Sequence, residues 1–160
     1  MSKLVISVFI VFILFGCNND EPEVSPAEQL AIDIDIIDNY LSENNIVTKS
    51  TPEGLRYEIL VEGTGEIPNA RDLIQVHYTG KLLSGEIFDS SVERGTPFEF
   101  ELGMGNVIAG WDIGFQLLPV GTKAKLYIPS PLAYGSRQMS DLIKANSIMV
   151  FEVEVLAIIN

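Results

Sequence analysis

Hydrophobic and polar positions change their rhythm along this chain. Residues 4–15 form an apolar run broken only by Ser7, preceded by Met1-Ser2-Lys3 and closed by Gly16-Cys17. Residues 18–24 show no apolar period and read as a tether. Leu30, Ile34, Ile37 and Leu41 then recur at helical spacing, while Asp33, Asp35 and Asp38 fall largely elsewhere around the wheel. Ser25-Pro26-Ala27-Glu28 has the form of a helix start: serine can cap, proline suits the first helical position, and Glu28 can reach back. Ile32, Ile36 and Tyr40 widen the apolar surface, which predicts a helix docked on its own domain or paired with a second copy. Docking on the domain is the preferred expectation.

From Thr51 onward the period shortens and turns multiply. Residues 55–61 predict a strand ending at Gly63-Thr64-Gly65, and residues 73–83 a longer one whose Gly80 suggests a bulge or bend. Phe98, Phe100 and Leu102 alternate with Glu99 and Glu101, as in a half-buried strand. Residues 122–128 and 148–158 supply two more. Between them, residues 106–118 predict the one helix of this part, with Asn106 as its cap and Pro119 beyond its end. Runs of strands around a single helix point to an α+β architecture, in which a strongly bent antiparallel sheet wraps on one short helix.

Composition and charge narrow the function. The 160 residues suggest one domain plus appendages, and 47% apolar content suffices for a core. The formal net charge is −12, and residues 18–45 carry Asp20, Glu21, Glu23, Glu28, Asp33, Asp35, Asp38 and Glu43 with no Lys or Arg. Nucleic acid is therefore not an expected partner, since phosphate binding requires a basic patch. With a single cysteine, no internal disulfide can form. No Ser-His-Asp set, metal-ligand cluster or phosphate-cradling glycine loop is present, so neither a metal nor a cofactor is expected. His77 neighbours Tyr78 on the same strand and points to the opposite face, which gives it a structural or surface role.

What remains is aromatic. Tyr78 sits in Val76-His77-Tyr78-Thr79-Gly80, Phe88 in Gly85-Glu86-Ile87-Phe88-Asp89-Ser90-Ser91, and the only tryptophan in Val107-Ile108-Ala109-Gly110-Trp111. Tyr134 follows in Leu132-Ala133-Tyr134-Gly135, and Phe151 lies inside the last apolar run. In order and spacing these phrases resemble the FKBP-type peptidyl-prolyl cis–trans isomerases (rotamases), from about Leu73 to Ile158 and more weakly back to Gly54. The resemblance implies the bent half-barrel on one short α-helix, here with an extra N-terminal helix. It also implies proline-containing polypeptides as substrates and macrolide inhibitors as ligands of the same cleft.

By the same resemblance, Trp111 forms the floor beneath a proline ring, walled by Tyr78, Phe88, Phe98, Val107 and Phe151. The N–H of Ile108 and the hydroxyl of Tyr134 each hold a substrate carbonyl, and Asp89 hydrogen-bonds Tyr78 and faces the twisting amide. Leu142 and Ile143 fall where two aliphatic residues face the ligand. They lie within residues 136–146, which lack the glycines and prolines many members carry there. Phe100 is expected in the core. A non-catalytic module that holds proline segments on the same fold is the competing reading.

Leu14-Phe15-Gly16-Cys17 resembles the bacterial lipobox, where the signal is cut before a lipid-modified cysteine. The expected organisation is a lipoprotein signal peptide over residues 1–16, an acidic tether over 17–24, an amphipathic helix over 25–45 and an isomerase domain over 46–160. The protein is expected in a bacterial cell envelope, held by lipid on Cys17 at the outer membrane and facing periplasm or surface. Monomer and dimer are both left open.

Overall fold

The computed structural model describes residues 24–159. The expected signal peptide, most of the expected tether and Cys17 lie outside that range.

The first element is helix α1, Pro26–Glu43. Its start obeys the local chemistry of its sequence: the Ser25 side chain accepts from the Glu28 N–H, and Glu28 Oε2 accepts from the Ser25 N–H at 2.9 Å. Reciprocal capping of this kind satisfies two amide donors that the helix itself leaves unpaired.

Seven strands follow in one antiparallel sheet: β1 Lys49–Ser50, β2 Arg56–Val61, β3 Leu73–Leu82, β4 Ile87–Ser90, β5 Phe98–Glu101, β6 Lys123–Ile128 and β7 Met149–Ile159. Their order is β1-β2-β6-β7-β3-β4, with β5 also pairing β3. Strand β3 is thus the central element. It pairs along its length with β7 on one side, and on the other with β5 through Leu73–Val76 and with β4 through Thr79–Lys81. Helices α2, Ser91–Arg94, and α3, Ala109–Gly114, complete the regular structure with two 3₁₀ turns at Phe115–Leu117 and Ser130–Leu132.

Side chains alternate across the sheet, so each strand serves two faces. Ile74, Val76, Tyr78, Leu126, Ile128, Phe151, Val153 and Val155 join Trp111 and Phe115 of the α3 region in the main core. Tyr127 and Val150, one residue out of step, enter a second cluster with Ile37 and Leu41 of α1. Helix α1 therefore docks on the back of β6 and β7, away from α3. It is also tied to β2 by the Asp38 carboxylate, which accepts from Arg56 Nε and Nη2 at 2.9 Å each.

Three sequence expectations need correction. Asp33 lies on the docked face of α1, 1% exposed, while Ile32 and Ile36 face outward. The reason is polar: one Asp33 oxygen accepts from the Ser130 N–H at 2.6 Å and the other from Gln29 Nε2 at 2.7 Å. The helix expected over 106–118 begins only at Ala109, with Ile108 and not Asn106 at its cap, and tightens to a 3₁₀ turn after Gly114. Positive φ at Gly103 and Gly105 keeps the preceding chain looped, and Asp112 fixes that loop by accepting from the N–H groups of Gly103 at 2.8 Å and Gly105 at 3.0 Å. The 98–102 strand ends at Glu101, and its first ring, Phe98, is partly exposed for a reason given below.

Candidate active site

A cleft of about 390 Å³ opens where α3 meets the central strand. Six aromatic side chains line it: Tyr78, Phe88, Phe98, Trp111, Tyr134 and Phe151, together with Asp89, Asn106, Val107, Ile108 and Ile143. Its size falls in the range that encloses a small ligand or a residue-sized fragment.

Trp111 is the floor. It is buried to 4% exposure and meets Tyr78, Phe98, Phe100, Phe115 and Phe151 with ring centroids 5.0–5.9 Å away. Most of these contacts are edge-to-face or tilted, the arrangement that ring quadrupoles favour. The indole N–H is buried without a hydrogen-bond partner among the described residues, so packing alone seats the ring. Gly110 makes that seat available: a Cβ there would lie 2.5 Å from Ile128 Cγ2, so any side chain would lift α3 off the sheet.

Gly80 performs the corresponding service for the wall. It faces Phe151 across β7 and Asp89 across β4, at the point where the β3–β4 register shifts. A Cβ on Gly80 would sit 2.5 Å from the Phe88 ring and 2.8 Å from the Phe151 ring. Both rings occupy the space that a side chain would take, and they meet edge-on with centroids 5.5 Å apart. Phe98 stays partly exposed because its ring forms a rim of the open cleft, while Phe100 is buried in the core as expected.

The polar side of the cleft is a triad that the sequence reveals only in part. The Tyr78 hydroxyl donates to Asp89 Oδ2, as the resemblance implies. Arg94, on α2, adds a second partner: Nη1 donates to Asp89 Oδ1, and Nη2 donates to the Tyr78 oxygen at 3.0 Å. The guanidinium also stands 5.6 Å from the Tyr78 ring centroid. Two serines position the group. Ser90 caps α2 by accepting from the Glu93 N–H, and Ser91 Oγ accepts from the Tyr78 N–H at 2.8 Å. His77 lies on the other face with Nδ1 2.9 Å from Ser91 Oγ, a structural role.

Desolvation is the largest influence on the Asp89 carboxyl and would raise its pKa, but hydrogen bonds from Tyr78 and Arg94 with the Arg94 charge outweigh it and hold it below the usual value. Burial, then the bond to Asp89, pushes the Tyr78 hydroxyl up. A lowered carboxyl contributes stability above its unfolded pKa and loses it as pH falls through the folded value. A raised phenol contributes below its unfolded pKa and loses it as pH rises through the folded one. The pair is therefore intact throughout the neutral range. Any activity that relies on this pair is expected to be flat there and to decline only on acidification into and below the carboxylate range. An acid limb centred near neutrality, measured as kcat/KM against pH, would contradict this assignment.

Among the described residues, the N–H of Ile108 and the hydroxyl of Tyr134 make no hydrogen bond, and both residues line the cleft. Of the two aliphatic residues expected at the rim, Ile143 lines the cleft and Leu142 does not. The loop turns back at Ser140, whose oxygen accepts from both the Leu142 and the Ile143 N–H. Among the described residues there is no group of His, Cys, Asp or Glu that could hold a metal ion.

An open antiparallel sheet with a ring-floored cleft at one short helix defines a class of non-covalent site that takes an apolar ring and its flanking amides. Comparisons with known proteins identify that class. The family model for FKBP-type peptidyl-prolyl cis-trans isomerase matches residues 64–156, and the chain belongs to this family. It is 52% identical over 110 residues to the FKBP-type peptidyl-prolyl cis-trans isomerase FkpA of Aeromonas hydrophila, a match covering 69% of this chain and 40% of that protein. Against FK506-binding protein 1 of Saccharomyces cerevisiae it is 53% identical over 91 residues, covering 57% of this chain and 80% of the yeast protein. The crystal structure of FkpA from Escherichia coli superposes with a TM-score of 0.70 at 36% identity, covering 83% of this chain and 60% of that one. The chain spans less than half the length of its Aeromonas relative.

Proposed function

We propose that this cleft carries the isomerase activity, with the proline ring of a polypeptide on Trp111 and the twisting amide between Asp89 and Tyr134. Rotation about the X–Pro bond faces a barrier of about 20 kcal/mol set by amide resonance. At the twisted midpoint conjugation is lost and the amide is less dipolar than when planar. A cleft that strips water from the amide disfavours the planar forms, and donors aimed at the midpoint geometry favour it further. Accelerating the step by about five decades needs about 7 kcal/mol, or about one per contact when shared among the walls.

The observation that carries this reading is the state of Asp89. It is the one carboxylate in a cleft of six aromatic side chains, it is held ionised, and it is engaged by both Tyr78 and Arg94. Such a group is a poor proton acceptor and a steady dipole, which suits a reaction that breaks no covalent bond. Because the chain has a single tryptophan, its emission reports on the floor alone. Adding a proline peptide should shift Trp111 emission saturably, and a macrolide of the FK506 type should displace the peptide. No emission change at saturating peptide would refute the placement.

The clients are proposed to be exported proteins. Leu14-Phe15-Gly16-Cys17 closes a twelve-residue run, 4–15, apolar but for Ser7, that suits a secretory signal and falls short of spanning a bilayer core. Cys17 would then carry a diacylglycerol and, usually, a further acyl chain, and together these anchor far more firmly than one chain does. Mass spectrometry of the mature protein should find an N-terminal lipidated Cys17. An unmodified Cys17 would contradict the anchor and leave the isomerase intact.

A further inference from the structure

A second groove, about 630 Å³ and larger than the cleft, lies on the far side of Tyr134. One wall is the start of α1, with Val24, Pro26 and Gln29, and the other is the chain after β6, with Pro131, Ala133 and Arg137. A shallow saddle of Ile108, Ala109, Tyr134 and Arg137 joins it to the cleft. Tyr134 borders all three depressions, so they adjoin one another around that residue.

The groove exists because of how α1 docks. Its second half is pressed onto the sheet by Ile37 and Leu41, and Asp33 pins its middle to Ser130. The first turn, beyond that pin, stands beside the 131–137 chain without filling the space between. Val24 remains 53% exposed at its edge.

The charge at the junction is opposite to that of the molecule. The chain has 22 acidic and 10 basic residues. Lys81, Lys123, Lys125, Arg56 and Arg94 are all in ion pairs. Lys49, Arg71, Lys144 and Arg137 are in none among the described residues, and of these only Arg137 lines the groove. It is exposed, and its Nε reaches only the Tyr134 carbonyl of its own turn, at 3.5 Å. An unpaired guanidinium presents a planar fork that matches a carboxylate.

We propose that the groove is an extension of the substrate site that takes the polypeptide flanking the proline, with Arg137 selecting an acidic side chain in that flank. An extended chain advances about 3.3 Å per residue, so residues beyond the immediate neighbours of the proline are the ones that reach the second groove. Short peptides occupy only the cleft and do not experience Arg137. Longer acidic segments engage both, even though the molecule's net charge opposes them. This inference rests on the cleft being the isomerase site.

The test compares the full-length protein with its Arg137→Glu and Ser136→Trp variants. Substrates are a proline tetrapeptide and the same peptide extended on either side by four glutamates or four lysines. On the tetrapeptide all three proteins should agree. On the glutamate extension at one side, kcat/KM should fall about fivefold in Arg137→Glu, the scale of one exposed ion pair, and lysine extension should gain correspondingly. Ser136 also lines the groove, and Ser136→Trp, which fills it without altering charge, should reduce both extensions and spare the tetrapeptide. Equal behaviour of all extensions in all three proteins, with tetrapeptide turnover retained, would overturn the extended site while leaving the cleft assignment standing. Absence of tetrapeptide turnover in the unaltered protein would overturn both.

Discussion

Replacing Trp111 with alanine is expected to cost about 3–5 kcal/mol of folding stability, the range for removing a large buried aromatic side chain. The side chain is 4% exposed and contacts five other aromatic side chains, so its removal leaves a cavity that the sheet cannot close around. A fall in Tm of about 10 °C or more should follow in a thermal melt. Activity should fall further than stability explains, because the floor of the cleft is lost with the core contact. Trp111→Phe separates the two effects. It should retain most of the stability yet lose about tenfold in kcat/KM, the equivalent of about 1.4 kcal/mol. A Trp111→Phe variant with unaltered turnover would place the proline elsewhere.

The second large effect is expected far from the cleft. Asp33→Ala leaves the Ser130 N–H without its acceptor in a buried setting, a loss of about 1–3 kcal/mol. Asp33→Asn keeps an acceptor oxygen and should lose less. Urea titration at constant slope is the measurement, since a changed midpoint with unchanged slope reports stability alone. The Ser130 carbonyl accepts from the N–H groups of Ala133 at 2.9 Å and Gly135 at 2.8 Å, so the turn pinned by Asp33 leads directly to Tyr134. A modest loss of kcat/KM should therefore accompany the loss of stability in Asp33→Ala. Equal stability of the alanine, asparagine and unaltered proteins would show that α1 does not depend on this bond.

These two residues also show what sequence could and could not convey. Trp111, Tyr78, Phe88 and Tyr134 were legible because each sits in a short phrase with a glycine, Phe98 from its alternation with glutamates and Phe151 from the last apolar run, and the structure brings all six to one cleft. The start of α1 was legible for the same reason, since a capping box is decided within four residues. Asp33 was misread because its partner, Ser130, is 97 residues away, and a helical wheel scores aspartate as outward. Arg94 was missed on similar grounds. Helix α2 has four residues and no period to read, and Arg94 meets Asp89 and Tyr78 only once β3 and β4 have paired. The helix cap at Ile108 escaped because Asn106 has the right chemistry for a cap, whereas Asp112 and two positive-φ glycines keep the chain looped past it. Leu142 and Ile143 are adjacent, and only the fold of the loop determines which one faces the cleft.

The arrangement also sets how sharply any one wall can matter. Tyr78, Asp89 and Arg94 hold one another, while the Ile108 N–H and the Tyr134 hydroxyl, both lining the cleft, make no hydrogen bond among the described residues. Because the required stabilisation is divided among several contacts, single replacements on the walls should reduce turnover without abolishing it.

The central claim is that this cleft turns X–Pro bonds as well as binding them. Exchange between the cis and trans forms of a proline peptide, followed by NMR with catalytic amounts of the protein, tests it most directly. Exchange should be many times faster than in buffer and should slow in the Trp111→Phe variant. Exchange at the buffer rate while the peptide still shifts Trp111 emission would contradict the claim and reduce the site to a holder of proline segments.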